Sequence, residues 1–180
     1  MIPYGRGAAA IATQVKAETG TDKTVGELEI EITKMVTAWK EETYPTAWGY
    51  MQECAASIYD PGFLVNPWGR KRRFHVSGPA TRPELERQAQ NWPIQSTVAD
   101  TAQITMDRMD VWRARYNMRF KLQNQIHDAL MIEYPLEERD ACIDMFNNTM
   151  GNIDIPVGGK YGKLRLAIDI DVYNRWGEKE

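Results

Sequence analysis

Cysteine, surplus positive charge, long apolar runs and internal repeats are what this 180-residue chain lacks, and each shortage excludes a class of protein. Its two cysteines, Cys54 and Cys142, stand far apart without metal-ligand spacing. That rules against a disulfide scaffold and reads as two small core residues in a reducing compartment. A formal net charge of -3 gives no global positive field to announce a nucleic-acid partner, so any such site must be local. No apolar run approaches a membrane span, and the first residues lack the charged head and apolar body of a signal peptide. A cytoplasmic protein without a membrane partner is expected. No repeat or low-complexity segment interrupts a composition that is 43% hydrophobic and 26% charged. The length suits one domain, or a piece of a larger one, with a proper core.

What is there begins with helices. Met1-Ile2-Pro3-Tyr4-Gly5-Arg6-Gly7 leads without a cap into an alanine-rich helix over residues 8–16, closed by Gly20, and reads like the middle of something. Thr24 and Glu27 form a capping-box pattern, and Leu28, Ile32, Met35 and Trp39 mark one apolar face of a helix ending near Glu42. A third helix is expected from Tyr44 or Pro45 to Ile58, with Ala47, Tyr50, Cys54 and Ile58 along one side. Asp60-Pro61-Gly62 breaks it.

Residues 63–74 read as a small hairpin with an Asn-Pro-Trp-Gly turn and four consecutive cations, Arg70, Lys71, Arg72 and Arg73, on its return arm. Cations concentrated on one short element beside Trp68, Phe74 and His75 suit a phosphate backbone, and they equally suit an edge strand guarded by charge. Thr81-Arg82-Pro83-Glu84 opens a helix that Pro93 should interrupt or kink near Trp92. Beyond it Val98, Ala102, Thr105, Met109, Trp112 and Tyr116 line one face of a long helix. Arg87, Asn91 and Gln95, four residues apart, would share a face if the helix continued, as a row of hydrogen-bond donors or as a plain solvated row.

Two runs rich in apolar and β-branched residues, 120–126 and 129–134, flank His127-Asp128, a pair with the length of a two-residue hairpin turn. An imidazole and a carboxylate stand there without the glycine that usually relaxes such a turn, although Asp is also an ordinary turn residue. An amphipathic helix over 136–150 follows, with Ile143, Phe146 and Met150 inward and Gly151 as its stop. A loop over 155–159 and a closing strand complete the chain. In that strand Leu164, Leu166, Ile168, Ile170 and Val172 alternate with polar residues that include Asp169 and Asp171.

The order of these pieces resembles the C-terminal portion of a family A DNA polymerase, the bacterial polymerase I type also found in phages. Tyr4-Gly5 resembles the end of that family's nucleotide-binding helix motif, and residues 62–73 its Gly-Arg-Arg segment. Glu86-Arg87 through Asn91-x-Pro93-x-Gln95-x-Thr97-x-Ala99-Asp100 is similar to its Glu-Arg…Asn-x-Pro-x-Gln run, and Gln125-Ile126-His127-Asp128 to its last motif, usually Val-His-Asp-Glu. The resemblance covers nearly the whole chain.

It implies an α+β fold, a partial right-hand polymerase in which residues 1–60 are the remainder of the fingers helices and 61–180 a palm portion with the catalytic hairpin. It implies catalytic roles for Asp128 and His127, with Asp128 a ligand of two Mg²⁺ ions whose other ligands lie outside this chain. Arg87, Asn91 and Gln95 would touch the minor groove of primer-template DNA, Tyr4 the incoming dNTP site, and Arg70, Lys71, Arg72 and Arg73 phosphates. Two departures stand out: Ala129 replaces the family's Glu, and the triphosphate-gripping residues and the other metal-binding aspartate would precede residue 1. The expected activity is template-directed nucleotidyl transfer by a split enzyme whose second polypeptide supplies those motifs, the chain alone being inactive. A non-catalytic DNA-binding or assembly module is the alternative. A self-sufficient metal hydrolase built on His127, Asp128, Asp169 and Asp171 is a third.

Overall fold

The computed structural model describes residues 7–158, 162–175 and 177–178, so Tyr4 lies outside the described residues. These residues form an α+β protein of five α-helices and three separate two-stranded antiparallel sheets. They fall into two compact units. One comprises Met1–Asn66 with Arg70–Ile94, the other Pro67–Gly69 with Gln95–Glu180.

In the first unit, α1 (Ala8–Thr19) ends where Gly20 takes φ 62, a left-handed conformation that only glycine adopts without strain. α2 (Val25–Ala38) starts on the expected capping box: Thr24 Oγ1 accepts from the Glu27 amide while Glu27 returns to the Thr24 amide. A π-helical turn, Trp39–Thr43, then carries the chain to α3 (Pro45–Ala56). The expected apolar faces shift here. Leu28 is buried, but Met35 is 66% exposed; on α3 the inward set is Met51, Cys54 and Ala55, continued by Ile58 in the turn beyond it, with Tyr50 half exposed and Ala47 exposed. Of the expected set the C-terminal pair, Cys54 and Ile58, is buried, and Met51 takes the inward place one turn before Cys54 in place of Tyr50.

β1 (Phe63–Val65) and β2 (Lys71–Arg73) form the small hairpin, in which Leu64 lies opposite Arg72. Its turn is tied by Asn66 Oδ1, which accepts from the Arg70 amide at 2.9 Å. Ile58, Phe74 and Ala89 make this unit's core, with Leu64, Val76 and Leu85 against it.

α4 (Arg82–Tyr116) runs through Pro93 without the break expected near Trp92. A proline removes a single helical donor, and buried residues on either side, Ala89 and Ser96, hold the adjoining turns. Nor does Thr81 form the expected capping box. Its hydroxyl donates to the Gly78 carbonyl at 2.8 Å within a short 3₁₀ turn, Pro79–Thr81.

In the second unit Asn117 closes α4 at φ 50, and Trp68 Nε1 donates to Thr101 Oγ1 at 3.2 Å. β3 (Lys121–Ile126) and β4 (Ala129–Glu133) pair as the sequence implies, with a bulge between Leu122 and Asn124. α5 (Arg139–Thr149) buries Cys142, Met145 and Thr149, one position before each of the expected Ile143, Phe146 and Met150. Met109, Phe120, Cys142 and Met145 form the core, against which Leu130 and Ile132 of β4 pack. Both cysteines are free and buried, and burial pushes the Cys142 thiol up to about 11.

The expected loop at 155–159 contains a strand instead: β5 (Ile155–Gly158) pairs with β6 (Gly162–Leu164). Of the expected closing strand, only the start lies in that ladder. Its alternation nevertheless persists as burial, with Leu166, Ile168, Ile170 and Val172 half-buried and Arg165, Asp169 and Asp171 exposed. Asp154 anchors this region by accepting from Arg165 Nε at 2.6 Å and Lys163 Nζ at 2.9 Å.

Two outcomes follow from this packing. A Cβ on Gly151 would lie 3.0 Å from the Asn147 carbonyl oxygen and 3.2 Å from Ile168 Cδ1. Gly151→Ala should therefore cost about 1–3 kcal/mol in urea unfolding. The bonds from Arg165 and then Lys163 hold Asp154 well below the usual carboxylate range, at about 2. A folded value below the unfolded one stabilises above roughly pH 4 and is lost as pH falls towards 2. Carboxyl NMR should find Asp154 titrating in that low window, and Asp154→Asn should remove the matching acid dependence of the β5–β6 resonances.

Candidate functional site

The β3–β4 ladder ends at the pair Ile126–Ala129, leaving His127 and Asp128 as the two residues of the turn. His127 stands at φ 56, the left-handed region, while Asp128 does not. A positive φ at the first central position alone is the pattern of a type II′ turn, whose usual occupant there is glycine. His127 holds that place at a cost of about 1–2 kcal/mol. Both residues are exposed, and among the described residues neither the imidazole nor the carboxylate has a hydrogen-bond or ion-pair partner. The turn's backbone is held instead: Gln125 Nε2 donates to the His127 carbonyl at 3.2 Å. The stem below is fixed by core packing of Leu130 and Ile132. A bare carboxylate thus stands at the tip of an anchored stem.

As a metal ligand Asp128 has the hard oxygen chemistry that Mg²⁺ takes. The number of donors is the difficulty. Among the described residues no three or more His, Cys, Asp and Glu side chains gather in a way that could hold an ion. Asp128 could serve as one ligand, and the donors among the described residues do not by themselves make a site for two ions. The same observation leaves the set His127, Asp128, Asp169 and Asp171 unassembled.

Arg87, Asn91 and Gln95 occupy successive i, i+4 positions of the unbroken α4, the condition under which they share a face. Arg87 and Gln95 are exposed and Asn91 is half-buried. Arg87 Nη2 pairs with Glu84 at 2.6 Å, and Gln88 donates to the same carboxylate at 3.0 Å. Those two partners, Gln88 first, lower the Glu84 carboxyl. An exposed i,i+3 pair is worth only a few tenths of a kcal/mol, roughly, so a phosphate or base edge can compete for Arg87.

Three of the four cations of the first hairpin lie in β2 and divide by strand alternation, and Arg70 precedes it. Arg72 turns inward, donates to Gln88 Oε1 and stacks over Phe74, its Cζ 5.0 Å from the ring centre. Lys71 Nζ sits 4.1 Å above the Phe63 ring, and Arg70 and Arg73 are exposed. Arg72 is thereby a packing residue of its own hairpin. Sequence reasoning passed over Gln103 and gave Gln125 no role beyond its place in the last motif, yet Gln103 Nε2 donates to Gln125 Oε1 at 3.1 Å. Only the short distance of Gln125 from His127 in the chain could have drawn attention to either.

No helix of the described residues is long and apolar enough to cross a membrane. The model of DNA polymerase family A matches residues 2–178. DNA polymerase I of Caldicellulosiruptor bescii is 31% identical over 62% of this chain and 13% of its own length. The chloroplastic/mitochondrial DNA polymerase I A of Arabidopsis thaliana is 25% identical over 97% of this chain and 16% of its own. DNA polymerase I of Mycobacterium leprae is 25% identical over 98% of this chain and 18% of its own. The chain thus spans 13 to 18% of the length of these relatives. Among solved structures, the POL domain of Pol1 from M. smegmatis in complex with DNA primer-template and dNTP superposes with a TM-score of 0.69 at 24% identity, over 83% of this chain and 25% of that one. That likeness shows a partial polymerase fold, and with a family match running almost end to end, the chain belongs to DNA polymerase family A.

Proposed function

We propose that this chain supplies the His-Asp hairpin and part of the duplex-binding surface of a DNA-directed DNA polymerase that extends a primer by template-directed nucleotidyl transfer. The observation that carries the reading is the unpartnered Asp128 carboxylate on the tip of an anchored hairpin, in a chain matched to the family over residues 2–178. The relatives named DNA polymerase I, and the POL domain bound to primer-template and dNTP, support DNA and nucleotides as partners. Two divalent ions, when bound, neutralise charge on the attacking 3′-hydroxyl and the leaving pyrophosphate.

The residues of this chain have positional work around that chemistry. Asp128 presents one carboxylate to the shared site, and His127 lies beside the primer terminus. Arg87, released from Glu84, joins Asn91 and Gln95 in donating to minor-groove acceptors, which stand at similar places on every base pair and so permit a fit check without sequence readout. Arg70, Lys71 and Arg73 contact phosphates, with Arg72 contributing chiefly through the hairpin's shape. Tyr4 packs at the insertion site. In this reading residues 1–60 belong to the fingers and 61–180 to the palm. The other metal-binding aspartate and the triphosphate grip come from outside these 180 residues, and these residues alone are inactive.

Ala129, where the family usually has Glu, favours a second reading: a DNA-binding or assembly module that has kept the fold without the chemistry. Mg²⁺-dependent primer extension separates the two. The chain paired with the polypeptide encoded upstream should extend a primer while the chain alone does not, and Asp128→Asn should abolish extension with duplex affinity retained. A pair that carries all the missing motifs, binds duplex and still fails to extend would establish the module. His127→Gly supplies a further outcome. Relief of the left-handed histidine should raise unfolding stability by about 0.5–1 kcal/mol in urea, while loss of the imidazole lowers the extension rate.

A further inference from the structure

We infer that Gln103 and Gln125 form a two-amide brace that positions the hairpin tip, and that Gln103 is a positioning residue for whatever Asp128 does. The inference rests on the proposed role of Asp128 for its functional part and on geometry alone for its structural part. The tip needs a brace for a definite reason. Its first residue, His127, is held in a left-handed conformation that a non-glycine residue resists, and its side chains have no partners among the described residues. A turn so loaded relaxes unless something over-determines it.

Gln125 is placed to do this. It sits on β3 two residues before His127, and its Nε2 donates to the His127 carbonyl at 3.2 Å. A glutamine amide is two-ended, however, and a half turn about its last bond would bring its oxygen against that carbonyl and repel it. Gln103, on α4 and 22 residues away in the chain, removes the choice: its Nε2 donates to Gln125 Oε1 at 3.1 Å. With the oxygen end engaged by a donor from the helix, the amino end must face His127. The direction of both bonds is then fixed from α4, whose own position is fixed by buried Thr105 and Met109 in the turns that follow. The helix thereby sets the orientation of a turn to which it donates no hydrogen bond directly.

The brace makes a prediction that ordinary stabilisation does not. At position 103 what matters is donation, so Gln103→Lys should preserve the tip and Gln103→Glu should release it, because Glu accepts and would invite the Gln125 amide to flip. Lys and Glu are comparable helix formers, and position 103 is exposed, so a merely structural residue would tolerate both alike. Backbone ¹⁵N relaxation of the full chain reads the effect. Order parameters at His127 and Asp128 should fall from about 0.85 towards about 0.6 in Gln103→Glu and in Gln125→Ala, and stay near wild type in Gln103→Lys. Thermal midpoints should move little in all three.

In the polymerase assembled with its complementary polypeptide, kcat should drop on the order of tenfold in the two released variants with KM for dNTP and duplex affinity nearly unchanged, since a displaced reacting group costs rate. Unchanged order parameters in both Gln103→Glu and Gln125→Ala would overturn the brace. A loosened tip with unchanged kcat, in an assembly where Asp128→Asn has abolished synthesis, would overturn its positioning role. Should Asp128→Asn leave synthesis intact, it is the preceding reading of Asp128 that fails, and a tip loosened by Glu and kept by Lys still supports the brace.

Discussion

Everything specific about the second unit depends on one buried contact set, Met109 of α4 against Phe120, Cys142 and Met145. Each is 2% exposed or less, and together they fix the start of β3 and the inner face of α5 against the same helix. Burial of side chains of this size contributes on the order of 1.5–3 kcal/mol each. Leu130 and Ile132 extend the contact along β4, so the stem of the hairpin is held by apolar packing and the tip is left to polar forces. That division matters for a site that must place a charge. A carboxylate buried with the stem would pay for desolvation, a cost that an exposed turn avoids.

The first unit handles its charges differently. Arg72 is drawn inward over Phe74 and bonded to Gln88, leaving Arg70, Lys71 and Arg73 to give the hairpin its positive face. Within β2 the alternation of the strand separates Arg72 from Lys71 and Arg73, while Arg70 lies before the strand and is exposed. On α4 the ion pair of Arg87 with Glu84 is exposed and weak.

Much of this was legible in the sequence because the signals were local. The capping box at Thr24, the turn at His127-Asp128, the left-handed Gly20 and the two hairpins rest on neighbours within four residues, and they appear where the residue types put them. What the sequence hid were matters of competition. Pro93 stays inside α4 because one missing donor is outweighed by the buried turns around it. The α5 stripe of Cys142, Met145 and Thr149 lies one residue earlier than the apolar pattern suggests. The strand at Ile155–Gly158 has glycine and proline in it and drew a loop reading, but it gains a partner from the start of the closing segment. The Gln103–Gln125 bond was invisible for the opposite reason: it joins two ordinary polar residues across 22 positions, and no periodicity encodes such a meeting.

Residues 165–172 alternate between half-buried and exposed like a strand, yet no strand among the described residues pairs with them. Such a stretch offers a row of amide and carbonyl groups to any extended chain that comes alongside. The bulwark against unwanted pairing is the charge on its outer face, Arg165, Asp169 and Asp171. Charge on the outer face thus does for this segment what pairing does for the strands before it, with Arg165 tied to Asp154 and the two aspartates left to keep the margin polar.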